Sequence, residues 1–321
     1  MMIEALARIY SNMLMRPRTA QIAITNRCNF NCPMCQRNDL RVGIKDIDLF
    51  LFEKILAKLD GVKNVVLTGW GEPFLHPDLF RMIKLCKANG MNARLTTNGS
   101  ILTDEKISAL LESGLDAIAF SIERIAEKKE SIGHAAGGQV SAVEKLIDAR
   151  KKAKSLLKIY IQSVFGAENE SDILEIVDFA VEKGIDRVRL TRLDVRFHDY
   201  SRPDLKAEKA IIKKIERKIK GTRIGLDFLP HAALDGFARQ VFKMTMPLLG
   251  SAKYCLRLLG DVYINEDAKV TPCCALPNLV MGDIQNEELG AIWHGEKFKE
   301  FRKNQRKYCG KCDILSLERR G

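Results

Sequence analysis

The chain has 321 residues, 46% of them hydrophobic and 29% charged, a balance that excludes a mainly disordered chain. Its longest runs without a charged residue, 131–143 and 270–282, are 13 long, well short of the about 20 apolar residues that span a membrane. Lys plus Arg exceed Asp plus Glu by 11, but the excess is spread along the chain and selects no anionic partner by itself.

In chain order, Ile3, Leu6, Ile9, Tyr10, Met13 and Leu14 fall on one helical face, so 1–19 is expected to hold a short N-terminal helix packed on the body. Glu4, Arg8, Ser11 and Asn12 interrupt it, unlike a secretory signal. From Ala20 strand and helix patterns alternate. Strands are expected over 20–25, 63–68, 91–96, 115–121, 158–164 and 185–191, with helices near 47–59, 78–89, 103–113, 139–154 and 170–184. Thr103, the apolar face Ile107, Leu110 and Leu111, and Gly114 read as a helix start, body and stop. Six strands joined by helices require parallel pairing. The span 20–200 is shorter than the ~250 residues of a closed eight-stranded barrel, so the fold class is α/β, a partial (β/α)6 barrel open on one side.

Beyond it, 201–250 reads as a helical linking or capping segment. Leu205–Lys220 sets Ile211, Ile212, Ile215 and Ile219 on one face and seven basic residues around the rest, the pattern of a solvated helix covering the sheet. Leu259–Ile264 and Lys269–Thr271, joined by Asn265, Glu266 and Asp267, read as a hairpin, and a last helix is expected over 289–304. These belong to a small α+β domain over 251–321.

The nine cysteines lie at 28, 32, 35, 86, 255, 273, 274, 309 and 312. An odd, clustered set in a long chain points to metal binding in a reducing, cytoplasmic compartment rather than to a disulfide framework. Cys28, Cys32 and Cys35 form C-x3-C-x2-C directly after the first expected strand, where parallel α/β folds place their sites. No fourth Cys or His lies close to complete a zinc site, the nearest histidine being His76. Three thiolates suit a four-iron, four-sulfur cluster with one iron open.

With its spacing and position, Cys-Asn-Phe-Asn-Cys-Pro-Met-Cys resembles the cluster-binding motif of the radical S-adenosylmethionine (SAM) enzymes. The resemblance implies reductive cleavage of SAM to methionine and a 5′-deoxyadenosyl radical, which abstracts a substrate hydrogen. It also implies an electron donor such as a flavodoxin or ferredoxin. Met34 stands where the family often has an aromatic residue near adenine. Thr68-Gly69-Trp70-Gly71-Glu72-Pro73 resembles the glycine-rich GGE segment, with Trp70 in place of one glycine. Through it Gly71 is expected to let backbone approach the ligand and Glu72 to hold the SAM amino group. Asn98, in Thr96-Thr97-Asn98-Gly99, and Ser121, in Ser121-Ile122-Glu123, stand where related enzymes contact SAM.

Cys255, Cys273, Cys309 and Cys312 could close around zinc or a second iron–sulfur cluster, which spacing does not separate. The hairpin between the first two, Met281-Gly282-Asp283-Ile284 and Ile292-Trp293 resemble the Twitch form of the SPASM domain, with Ala268 where the family's hairpin has Gly. That implies one auxiliary four-iron, four-sulfur cluster. Cys86 reads as packing, and Cys274 as packing or a thiol near the substrate. The expected reaction is dehydrogenation or modification of a small molecule or peptide. Only 27 residues precede Cys28, little for the N-terminal peptide-recognition domain that peptide-modifying relatives often carry. Other readings are a radical enzyme acting on RNA or protein, and a non-catalytic metal-binding module for nucleic acid; the chain has no recognised nucleic-acid motif and only 7% aromatic residues. Gln162, Arg189, Arg192 and 228–250 are candidate pocket residues, the arginines as grips for a carboxylate or phosphate or as surface ion pairs.

Overall fold

The computed structural model describes residues 16–37, 39–125, 137–166, 169–194, 205–228, 255, 260–309 and 312. Strand and helix alternate through β1 (Thr19–Ile22), α1 (Leu49–Ala57), β2 (Asn64–Val66), α2 (Leu79–Ala88), β3 (Asn92–Thr97), α3 (Asp104–Ser113), β4 (Ala117–Ser121), α4 (Gly137–Lys152), β5 (Lys158–Phe165), α5 (Glu170–Lys183) and β6 (Arg187–Arg192). The strands pair parallel in chain order, and the expected α/β partial barrel is present. Helix ends follow local chemistry: Asp48 accepts from the Leu51 N–H at 2.8 Å to start α1, Thr103 caps α3, and Gly114 and Gly184 end α3 and α5 with φ of 79° and 66°.

Alternation along each strand separates two environments. In β5, Ile159, Ile161 and Phe165 are fully buried and belong to the apolar cluster shared with Val143, Leu146, Ile173 and Ile176 of the flanking helices. Burying each such side chain contributes roughly 1.5–3 kcal/mol. The intervening Tyr160, Gln162 and Val164 face the barrel lumen, as Arg187, Arg189 and Thr191 do in β6. Two carboxylates stitch the strand starts together. Asp116 accepts from the Ala93 N–H at 2.7 Å and from Lys87 Nζ at 2.6 Å; Asp186 accepts from the Ile159 N–H at 2.9 Å and pairs with Arg150.

Three features depart from the expected element list. After α6 (Leu205–Ile219), β7 (Gly225–Phe228) pairs parallel with β6 as a seventh barrel strand. The hairpin β8 (Asp261–Ile264) and β9 (Lys269–Thr271), followed by β10 (Gly282–Asp283), joins the same sheet, because β8 runs parallel to β1 along four register pairs. The order is β10-β9-β8-β1-β2-β3-β4-β5-β6-β7. The helix expected over 289–304 is broken by Gly295, extended at φ −68° and ψ 162°, into α7 (Leu289–His294) and α8 (Glu296–Lys303), and α9 (Gln305–Cys309) follows.

The basic helix α6 buries Ile211 and Ile215, and its Lys214 and Lys218 pair with Glu170 and Asp178 at and within α5. That is the arrangement of a covering helix. The N-terminal helix of 3–15 and all of 229–250 lie outside the described residues. Among the described residues no helix is long and apolar enough to cross a membrane.

Candidate active site

The C-terminal ends of the strands open into a cavity of about 490 Å³. Its wall holds Cys28, Cys32 and Cys35 after β1 and, more than 200 residues later, Cys255, Cys273, Cys274, Cys309 and Cys312. Met34, Gly71, Glu72, Asn98 and Ser121 line it too, so every expected site residue reaches one space. Cys86 alone stands apart, fully buried on the apolar face of α2.

The first cysteine loop is tied at both ends. Before it, Arg27 Nε donates to Asp46 Oδ1 at 3.0 Å and Arg27 Nη2 to the Leu75 carbonyl at 2.8 Å. Within it the Phe30 N–H lies 3.4 Å from Cys28 Sγ, and the Cys35 N–H donates to the Cys32 carbonyl at 3.0 Å. Burial pushes the Cys28 thiol up, and burial together with the adjacent Cys35 and Cys28 thiols pushes Cys32 up to about 12. Buried thiols gathered in one loop suit a positively charged metal group, whose binding releases their protons. Among the described residues no three Cys, His, Asp or Glu side chains gather around a single-ion position.

The glycine-rich loop after β2 packs tightly on this loop. A Cβ on Gly71 would lie 2.4 Å from the Arg27 carbonyl oxygen and 2.6 Å from that of Thr25. The close approach that excludes a side chain at 71 is therefore to the cysteine loop's own backbone. Glu72, 2% exposed, accepts from the Thr97 hydroxyl at 2.7 Å and the Phe74 N–H at 3.1 Å through Oε1, and from the Asn98 N–H at 2.7 Å through Oε2. Burial pushes its carboxyl up, against the pull of those three donors. A carboxylate has about four acceptor sites, so Oε2 keeps one for a cationic group in the cavity. Asn98 Nδ2 donates to Asn29 Oδ1 at 3.0 Å, joining β3's end to the cysteine loop.

Sequence reading missed three supports. Gln139, 4% exposed, donates through Nε2 to the Asn98 and Ser121 carbonyls at 2.7 and 3.1 Å, clamping the ends of β3 and β4. Gln305 Oε1 accepts from the Cys255 N–H at 3.0 Å, tying that cysteine to the helix of Cys309. Trp70, the residue in place of a family glycine, donates from Nε1 to the Cys274 carbonyl at 3.2 Å and so joins the two cysteine regions. Lone polar or aromatic residues of this kind carry no sequence pattern. Glu123, noted within the segment of Ser121, is buried, lines the cavity and accepts from the Val164 N–H at 2.8 Å; burial pushes it up to about 8.

The two candidate arginines separate. Arg192 lines the cavity but donates through Nε and Nη2 to both oxygens of Glu208 at 2.9 and 2.7 Å in a buried pair. Arg189 lies in the lumen, its Nε 3.8 Å from Asp227 Oδ2. Gln162 lines the cavity, and of 228–250 only Phe228 is described.

A family model described as the radical SAM superfamily matches residues 22–180, and one for an iron–sulfur cluster-binding domain, SPASM, matches 255–313. Among curated proteins, a tungsten-containing aldehyde ferredoxin oxidoreductase cofactor-modifying protein of Pyrococcus furiosus is 31% identical over 179 residues, 54% of this chain and 50% of that protein. A PqqA peptide cyclase of Ruegeria pomeroyi is 26% identical over 317 residues, 92% of this chain and 79% of that protein. Among solved structures, Streptococcus suis SuiB bound to precursor peptide SuiA matches with a TM-score of 0.71 at 16% identity, over 98% of this chain and 73% of that one; it shares the fold.

Proposed function

The chain belongs to the radical SAM superfamily, ends in a SPASM-type iron–sulfur domain and uses SAM and four-iron, four-sulfur clusters, and from that premise we propose that it oxidatively modifies a peptide. The observation that carries the proposal is the opening of both cysteine sets into one cavity. Similarity to PqqA peptide cyclases over nine-tenths of the chain supports a peptide as substrate.

In this reading Cys28, Cys32 and Cys35 hold the SAM-cleaving cluster, and Cys255, Cys273, Cys309 and Cys312 hold one auxiliary cluster. When bound, the cofactors supply an electron, a 5′-deoxyadenosyl radical that removes a substrate hydrogen, and an acceptor for the electron left on the substrate. The chain's own residues bind and exclude. Glu72 Oε2 offers an acceptor to the SAM ammonium, Met34 gives adenine a soft apolar contact, and Asn98 and Ser121 present polar groups at the ends of β3 and β4. Trp70 and the Cys273–Cys274 turn wall the cavity from water, which would quench a radical.

Anaerobic reconstitution is expected to load about eight iron atoms. Replacing Cys28, Cys32 and Cys35 together by Ala is expected to leave about four and to abolish 5′-deoxyadenosine formation under reductant. Undiminished SAM cleavage in that variant refutes the assignment. With deuterated candidate peptides, label in 5′-deoxyadenosine identifies the hydrogen removed.

A further inference from the structure

We propose that the lumen of the barrel carries an oxyanion-binding subsite, built by Arg94, Arg187 and Arg189, that anchors a carboxylate or phosphate group of the substrate. This names a substrate class for the function proposed above and rests on it.

Position comes from strand alternation. Thr96 of β3, Gln162 of β5 and Thr191 of β6 line the cavity, so residues two positions away on the same strands, Arg94 and Arg189 among them, share the lumen face. In the sheet register Arg189 stands beside Gln162, and Gln162 beside Ser121. Arg189 therefore stands in register with two cavity-lining residues. On β4, between Arg94 of β3 and Tyr160 of β5, the lumen positions are Ala117 and Ala119, whose small side chains leave room.

Charge balance then points to a ligand. Among the described residues, three guanidinium groups share this part of the lumen with the carboxylate of Asp227, which is 4% exposed at its side chain. Arg187 takes the close ion pair with it, whereas Arg189 stands 3.8 Å away. Arg189 Nε is buried without a hydrogen-bond partner. Burial pulls the Arg189 guanidinium down, with Arg187 and Arg94 acting in the same direction. The Tyr160 ring lies 5.5 Å from Arg189 and 5.9 Å from Arg187, fixing both forks across its face. Like charges gathered in a low-dielectric space cost free energy unless an anion joins them. Arginine forks match the two-oxygen edge of a carboxylate or phosphate.

The test uses reconstituted, full-length holoprotein and requires no turnover. Acetate and inorganic phosphate are titrated separately at constant ionic strength, with chloride as the balancing ion, and binding is read as a rise in Tm. At least one is expected to give a saturable rise, with an apparent Kd raised tenfold or more in Arg189→Gln and in Arg94→Gln. Arg189→Lys, which keeps the charge and loses the fork, is expected to fall between. Arg81→Gln, at an exposed pair on α2, is expected to respond like the parent. No saturable response to either ion, or a response undiminished in both glutamine variants, overturns the subsite. Failure of that kind leaves SAM cleavage untouched, whereas loss of 5′-deoxyadenosine formation with anion binding intact overturns the radical reading alone. Phosphate binding without acetate binding assigns the group to a phosphate, and the reverse assigns it to a carboxylate.

Discussion

Gly71→Ala tests whether the glycine-rich loop supports the first cysteine loop. The added methyl would lie 2.4 Å from the Arg27 carbonyl oxygen, 2.6 Å from that of Thr25 and 2.8 Å from the Arg27 nitrogen, against an ordinary contact near ~3.5 Å. All three atoms are backbone, so no side chain can swing aside and one loop must move by about 1 Å. Overpacking of this kind costs about 1–3 kcal/mol. The movement also stretches the bond from the Glu72 N–H to the Arg27 carbonyl, 2.7 Å in the parent, worth about 1 kcal/mol more. Because Arg27 adjoins Cys28, the displacement falls on the first cluster site. Urea denaturation is expected to show a loss of about 2–4 kcal/mol. Iron analysis after reconstitution should show the first site underloaded and the C-terminal one filled, with 5′-deoxyadenosine formation falling in step. A variant with parental stability, full iron and full SAM cleavage would refute the reasoning.

Glu208→Ala leaves Arg192 buried without its carboxylate and is expected to cost about 3–5 kcal/mol in urea denaturation, whereas Arg192→Met combined with Glu208→Leu should lie within about 1 kcal/mol of the parent. A cost below that for the single variant would mean that water reaches the guanidinium. Asp186 supplies a pH test: although burial pushes its carboxyl up, the Ile159 N–H and Arg150 hold it below the usual range. Its folded value is thus below its unfolded value, so its stabilisation is complete above about pH 4 and is lost as pH falls through the folded value. Asp186→Asn is expected to cost about 1–2 kcal/mol at pH 7 and almost nothing near pH 2. A stability difference that does not shrink in acid would count against the pairing.

The alternation of period-two and helical patterns foretold six barrel strands and their crossover helices because one face of each strand is packed on helices and must be apolar. The strand Gly225–Phe228 escaped that reading: Gly-Leu-Asp-Phe has no alternation, and its Asp227 faces an arginine-lined lumen rather than a core. Gly295 was read through because a single glycine in a helical pattern does not distinguish a break from a tolerated residue. The grouping of the cysteines into two sets was legible from type and spacing. That they share one cavity was not, since it depends on β8 pairing with β1 across the length of the barrel. Gly71 was expected to let backbone approach a ligand; that it also packs on the Thr25 and Arg27 backbone carried no sequence signal. The ambiguity at Arg192 was settled by Glu208, 16 residues away on another element.

The pairing of β8 with β1 also orders events in time. Some 240 residues separate Ile22 from Asp261, and at roughly 5–20 residues per second a ribosome takes on the order of 10–50 s to make them. Until then β1 is the bare edge of a growing sheet, open to mispairing with other chains, and the loop that carries Cys28, Cys32 and Cys35 follows directly from it. The strand that leads into this loop is therefore paired on both sides only once 261–264 has been made. A nascent or truncated product ending before Asp261 would leave β1 with an unpaired edge, a target for aggregation.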